Sequence, residues 1–265
     1  MTRTRLGLLG LCAMVFGLMA FGATGAHAEV GAKWLILNSK SELKEGSTLH
    51  AEVGLEKDSL VYVLHTEILK IKVLYLCTNL EAINAKLQEQ GIIGKEVITN
   101  PETGLKEGRG SQIKFTGCIT ELGGSVAPEC EPKDVVGGAG TVITKPGHAL
   151  IKLHILKNEK GEEIGRDDIV ELLPDTGLGT TFAVIESTAA CPIGTKVPVI
   201  GSLALKDCEN LFLTHLKKHL VEPFTPLTKL FTISETAEHT ATFLGSAWAF
   251  LKGEHEGLLW SGDPA

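Results

Sequence analysis

At 265 residues, with 43% hydrophobic and 22% charged side chains, the chain is long enough to bury a sizeable core without a structural metal or a dense disulfide framework. Acidic residues outnumber basic ones, 32 to 25, for a net charge of −7, and the basic residues are dispersed, with Lys217-Lys218 the one adjacent pair. That excludes nucleic acid, whose phosphates need clustered Lys and Arg, and it gives no electrostatic pull towards anionic lipid.

Residues 1–28 read as a secretory signal peptide. Arg3 and Arg5 form a basic start, residues 6–21 are an uncharged apolar run, and Ala26-His27-Ala28 places small residues at both cleavage-recognition positions. Cutting after Ala28 leaves 29–265 as a single exported β domain, more acidic than the full chain because both arginines leave with the leader. Cys12 follows Leu11 in the middle of the apolar run, which does not suit a lipid-attachment signal. Beyond the leader the longest uncharged stretches, such as 240–251, are too short to cross a bilayer as a helix, so no membrane span is expected after cleavage. The expected location is secreted or extracytoplasmic.

The hydrophobic period is mostly two. Strands are expected over 33–37, 48–55, 60–66, 69–80, 112–119, 141–144, 149–157, 180–186, 196–206, 230–233, 240–251 and 257–260. Turn chemistry falls between them. Asn158-Glu159-Lys160-Gly161 separates two apolar runs as a hairpin would, Gly123-Gly124 and Gly137-Gly138 punctuate the middle, and Asn100-Pro101-Glu102-Thr103-Gly104 marks a longer loop. Helices are plausible only at 81–90, which could instead prolong the preceding strand, and at 209–221, where Leu211, Leu213, Leu216 and Leu220 are spaced helically before Pro223. Many short strands at near-regular spacing define an all-β, mainly antiparallel fold, a β-sandwich or barrel-like, with one or two short helices.

Five cysteines follow the leader: Cys77, Cys118, Cys130, Cys191 and Cys208. Export permits disulfides, and Cys118–Cys130 and Cys191–Cys208 are the shortest loops to close. Strand parity puts Cys118 on the face of Lys114 and Thr116, pointing outward, and puts Cys77 on the apolar face of Ile71, Val73 and Tyr75, as a buried free thiol. Pairing of Cys77 with Cys118 or Cys191 across neighbouring strands remains an open alternative. No C-x-x-C pair exists, which removes a thioredoxin-like or zinc-ribbon site.

Across 69–206 the chain carries Leu76-Cys77, Phe115-Thr116-Gly117-Cys118, Cys130, Gly140-Thr141-Val142-Ile143-Thr144, Leu173-Pro174 with Gly177, Phe182-Ala183, Cys191 and Val199-Ile200-Gly201-Ser202. In this pattern it resembles a family of uncharacterised secreted bacterial β-proteins. The resemblance implies an exported, disulfide-bearing β domain and carries over no activity, ligand or catalytic residue. Cys208 and residues 211–262 extend past the shorter members' pattern.

The best constellation for chemistry is His215, His219 and Glu222. On a helix their offsets would place two imidazoles and a carboxylate on one face, a set able to hold zinc with an open position for water. The metalloprotease pattern needs Glu directly after the first His, where Leu216 stands, and an amphipathic helix with a polar His and Lys face explains the same residues. Glu254-His255-Glu256 reads as a solvated loop, His154 as facing water beside Lys152, and His65 and His148 have no partner by spacing. There is no Gly-x-Ser-x-Gly elbow and no phosphate-binding Gly loop ahead of a helix; Gly201-Ser202 and Gly245-Ser246 lie inside strand patterns, where glycine relieves crowding or marks a bulge. Glu162-Glu163 and Asp167-Asp168 suit charged turns, and Leu173-Pro174-Asp175-Thr176-Gly177, though it spells a sortase pattern, suits a turn. With aromatics at 5%, Trp34, Trp248 and Trp260 suit core packing better than a sugar-stacking platform.

Three functions follow, in order. The first is a non-enzymatic exported β domain without cofactor, a binding or structural module at the cell envelope or outside the cell, with an envelope glycan or a protein as partner. The second is a secreted metal-dependent hydrolase using zinc on His215, His219 and Glu222. The third is a protein-interaction or inhibitor module presenting loop 121–136, held by a Cys118–Cys130 bridge.

Overall fold

The computed structural model describes residues 31–37, 49–54, 62–101, 104–175, 179–208, 215–234 and 237–264. The leader expected over 1–28 lies outside the described residues, as does 209–214 of the second expected helix. Among the described residues there are 24 strands and three single-turn 3-10 helices, and every strand pairing is antiparallel. The all-β expectation holds.

The first half contains β1 (Lys33–Leu37), β2 (Leu49–Gly54), β3 (Tyr62–Ile68), β4 (Ile71–Cys77), β5 (Asn79–Ile83), β6 (Lys86–Leu87), β7 (Ile92–Gly94), β8 (Glu96–Thr99), β9 (Lys106–Arg109), β10 (Gln112–Thr116), β11 (Ile119–Leu122) and β12 (Ser125–Val126). The second half contains β13 (Lys133–Asp134), β14 (Gly138–Ala139), β15 (Thr141–Ile143), β16 (Gly147–Lys157), β17 (Glu163–Pro174), β18 (Thr181–Glu186), β19 (Lys196–Asp207), β20 (Lys218–Pro223), β21 (Lys229–Ser234), β22 (Ala237–Leu244), β23 (Ala247–Lys252) and β24 (Leu259–Asp263). The hairpin expected at 158–161 joins β16 to β17: Asn158 Oδ1 accepts the backbone N–H of Lys160 and Glu162 at 2.9 and 3.0 Å.

These strands wrap around two interiors that share β19. On one side the pairings run β19–β17–β16–β7–β6–β2–β23–β20 and return to β19. On the other they run β19–β21–β22–β3–β4, continue through Thr78 into β5, and pass by β10 and β15 to a Thr144–Ala183 bridge with β18, which again pairs β19. The sheet as a whole is not a closed barrel, but each half is barrel-like. We call them the cavity lobe and the disulfide lobe. Their cores meet across the shared strand: Trp34, Leu87, Ile151, Leu251 and Trp260 form one cluster, and Val73, Tyr75, Phe115, Val199 and Leu230 belong to a second that also takes in Leu203, Val221 and Ala247 of the cavity lobe.

Gly201 is where β19 changes lobes. Residues 196–202 pair with β18 and β21, and residues 203–207 with β17 and β20. Gly201 has φ +107°, and a Cβ there would lie 1.7 Å from the Lys229 carbonyl oxygen, so only glycine lets the strand turn while β21 stays paired.

Several expected elements are corrected. The 209–221 helix is replaced, where described, by a Leu216–Trp260 bridge and by β20, because pairing with both β19 and β23 outweighs the helical spacing of the leucines. Region 81–90 is strand to Ile83, then a left-handed Asn84, β6 and a 3-10 turn. The single strand expected over 240–251 is broken at Gly245-Ser246 into β22 and β23, which pair with different strands, and the second arm of the hairpin expected at 158–161 is the long strand β17, whose bounds were not among those expected.

The disulfides are Cys77–Cys118 and Cys130–Cys191, and Cys208 forms neither bridge. This corrects the Cys118–Cys130 and Cys191–Cys208 pairings and the free thiol at Cys77, and realises the open Cys77–Cys118 alternative. The parity argument fails at Gly117, whose φ of +64° ends β10 and turns Cys118 inward, to 1% exposure beside Cys77. Cys130 sits in the 3-10 turn Pro128–Cys130, tied to the 188–191 turn by Thr188 Oγ1 donating to the Glu129 carbonyl at 2.6 Å.

Candidate ligand cavity

Directly opposed residues of antiparallel strands share a face, so the register defines the inner wall of the cavity lobe. Ile93 opposes Ala149, Ala149 opposes Leu172, and Leu172 opposes Leu203. Val170 opposes Leu205, Leu205 opposes Pro223, Val221 opposes Ala247, and His219 opposes Ala249. Apart from His219, and Asp207 opposite Val221, the named residues of this inner face are apolar. The outer face of the same strands buries Ile92, Leu150, Ile169 and Ala204 and also carries polar pairs: Lys152 with Glu171, Lys206 with Asp167 at 2.5 Å, and Ser202 Oγ donating to Glu171 at 3.1 Å.

Side chains normally fill the interior of so small a barrel. Here alanine at 149, 247 and 249 leaves a cavity of about 110 Å³, which extends towards Phe115, Phe182 and Phe243 of the disulfide lobe. The disulfide lobe's own interior holds only about 50 Å³.

One end of the cavity is polar and tightly bonded. His219 is fully buried; its Nε2–H donates to the Trp260 carbonyl at 2.9 Å, and its Nδ1 lies 2.7 Å from Asp207 Oδ2. Asp207 reaches it because it follows Leu203 and Leu205 on the inward face of β19. The Trp260 ring meets the His219 ring edge-on at 4.4 Å and the Trp34 ring at 5.9 Å. Trp34 Nε1–H donates to the Ile92 carbonyl at 2.9 Å, whereas Trp260 Nε1–H is buried without an acceptor.

At the other end Ser111 Oγ donates to the Gly147 carbonyl at 2.8 Å and Gln112 Nε2 to the Thr144 carbonyl at 2.7 Å. Beside them His148 Nδ1 lies 3.7 Å from Asp175 Oδ1, under the β8–β9 hairpin, and Asp175 Oδ2 accepts the Gly110 N–H at 3.2 Å. Burial pushes the His148 imidazole below its ordinary value; Asp175 and Glu107 pull it back up, and Arg109 adds to the lowering. His148 thus lies beside a carboxylate that spacing did not suggest, at a separation longer than a hydrogen bond.

The structure does not bring His215, His219 and Glu222 together. On β20 residues three apart point to opposite faces, and both ring nitrogens of His219 are engaged. Among the described residues no group of three or more His, Cys, Asp or Glu is arranged to hold a metal. Glu254 and Glu256 are exposed around a 3-10 turn. His154 is half-buried and meets Phe224 edge-on at 5.3 Å, rather than facing water. Trp34 and Trp260 are core residues, each 3% exposed. What sequence reasoning missed was the cavity wall and Asp207; the signal for the wall was the alternation Ala247-Trp248-Ala249, small on one face and large on the other.

Comparison of the chain with protein-family models, with curated proteins and with solved structures gives no match.

Proposed function

We propose that this protein is a non-enzymatic binding module, exported from the cytoplasm, that holds a small apolar molecule in the cavity lobe. The observation that carries this reading is the cavity of about 110 Å³ walled by Ala149, Val170, Leu172, Leu203, Leu205 and Ala249. Small-molecule sites are typically concave, mostly apolar and provided with few polar groups. An engineered apolar cavity of about 150 Å³ takes up benzene, which sets the scale of the ligand. Export is supported by the leader pattern of 1–28 and by the two disulfides, which fit an extracytoplasmic protein. Among the described residues no helix is long and apolar enough to cross a membrane.

Thermal unfolding tests the reading. Benzene and cyclohexane should each raise the melting temperature, a ligand at a hundred times its Kd adding about 2.7 kcal/mol. Ala249→Leu, which fills the cavity, should remove the response while the protein stays folded. A rise with zinc or an envelope glycan but none with the apolar probes would overturn the proposal.

A second reading, the protein-interaction module, is favoured by the β13–β14 hairpin. Asp134 Oδ1 accepts the N–H groups of Val136 and Gly137 at 2.8 and 3.0 Å, holding out a tip whose Val135 and Val136 are each 89% exposed. The bridge that anchors this region is Cys130–Cys191.

A further inference from the structure

We infer that the ligand of the cavity lobe is a neutral molecule with one hydrogen-bond acceptor, a small ketone, ester or ether, whose acceptor takes the Trp260 Nε1–H. This inference rests on the cavity-binding reading and narrows it to a chemical class.

A buried N–H left without an acceptor carries a desolvation cost that a native fold rarely leaves unanswered. Trp260 is 3% exposed, forms part of the cavity wall, and has no acceptor for its indole N–H. The neighbouring indole of Trp34 lies 5.9 Å away and is satisfied by the Ile92 carbonyl. His219 cannot serve as acceptor, since its Nε2–H donates to the Trp260 carbonyl and its Nδ1 faces Asp207. Ser111 and Gln112, at the far end, already donate to backbone carbonyls. The group offered to a ligand at the tryptophan end is therefore a single donor in an apolar wall. A carboxylate would be charged in a dry interior next to Asp207, which disfavours it strongly. An acceptor on an uncharged body of roughly benzene size satisfies both the donor and the wall.

Cyclohexane and cyclohexanone share a shape and differ in one carbonyl, so titrating both into the protein and into Trp260→Phe separates wall from donor. Loss of one neutral hydrogen bond should weaken cyclohexanone by about five- to tenfold while cyclohexane changes less than twofold. Replacing Trp260 by β-(3-benzothienyl)alanine, which keeps the ring and removes the N–H, should give the same selective loss even if phenylalanine disturbs packing. In the unaltered protein cyclohexanone, and not cyclohexane, should shift the Trp260 indole N–H resonance among those of Trp34, Trp248 and Trp260. Equal loss of both probes, or a Trp260 resonance indifferent to cyclohexanone, overturns the inference and leaves apolar binding standing. If neither probe binds the unaltered protein, the cavity-binding reading fails and the inference fails with it.

Discussion

The two lobes spend similar strands on opposite ends. The disulfide lobe is cross-linked twice and filled by Tyr75, Phe115, Phe182 and Leu230, leaving about 50 Å³. The cavity lobe has no disulfide among its described residues, sets Ala149, Ala247 and Ala249 along its inner wall, and opens into a cavity of about 110 Å³ that reaches Phe115, Phe182 and Phe243 of its neighbour, with the buried His219–Asp207 pair at one end. Each void forfeits contact energy, so close packing is the better arrangement for stability alone. One lobe is thus cross-linked and closely packed, and its neighbour, joined to it through β19, keeps the open interior on which the proposed binding function rests.

The comparison breaks most sharply at the shared strand. Gly201→Ala drives a Cβ into the Lys229 carbonyl and should cost about 4 kcal/mol or prevent folding, with both lobes melting together in urea. Separate transitions for the two lobes would show that β19 does not couple them. Next in size, replacing Cys130 and Cys191 by alanine opens a bridge of sequence separation 61 and should cost about 2–5 kcal/mol. If the cavity lobe is the receptive half, benzene should still raise the melting temperature of that variant.

A smaller effect sharpens the picture of the disulfide lobe. The β3–β4 turn places Leu69 and Lys70 at φ +53° and +64°, a two-residue connection in which both residues are left-handed. Leu69→Asn combined with Lys70→Gly should stabilise the protein by about 1–2 kcal/mol in chemical denaturation.

The smallest effect is on pH. Burial, the largest cause in each case, holds the imidazoles of His148 and His154 below their ordinary value of 6.5. The folded state then binds fewer protons than the unfolded chain, so this contribution is complete above about pH 6.5 and is lost as pH falls below it towards the folded values. Melting temperature should fall on acidification through that window, and His148→Gln should flatten the slope. A melting temperature that rises on acidification from pH 7 would contradict the burial of these rings.

Much of the fold was legible because it is local. The turn at 158–161, strand 33–37 and the alternation along 196–206 follow from residues close in sequence. Pairings between distant segments were not. Short loops favour closure only logarithmically, so geometry overrode them and linked cysteines 41 and 61 residues apart. His219 was visible as an unusual residue, but its role was not, since its partners Asp207 and Trp260 lie 12 and 41 positions away. The cavity itself depends on which strand opposes which. Ala149, Ala247 and Ala249 acquire meaning only once register aligns them around one interior.

The most direct measurement is the electron density of a crystal pressurised with xenon, which occupies apolar cavities of this size. The account predicts a xenon peak within the wall formed by Ala149, Leu172, Leu203 and Ala249. Density for ordered water there, or no peak at all, would contradict an apolar, accessible binding cavity in this lobe.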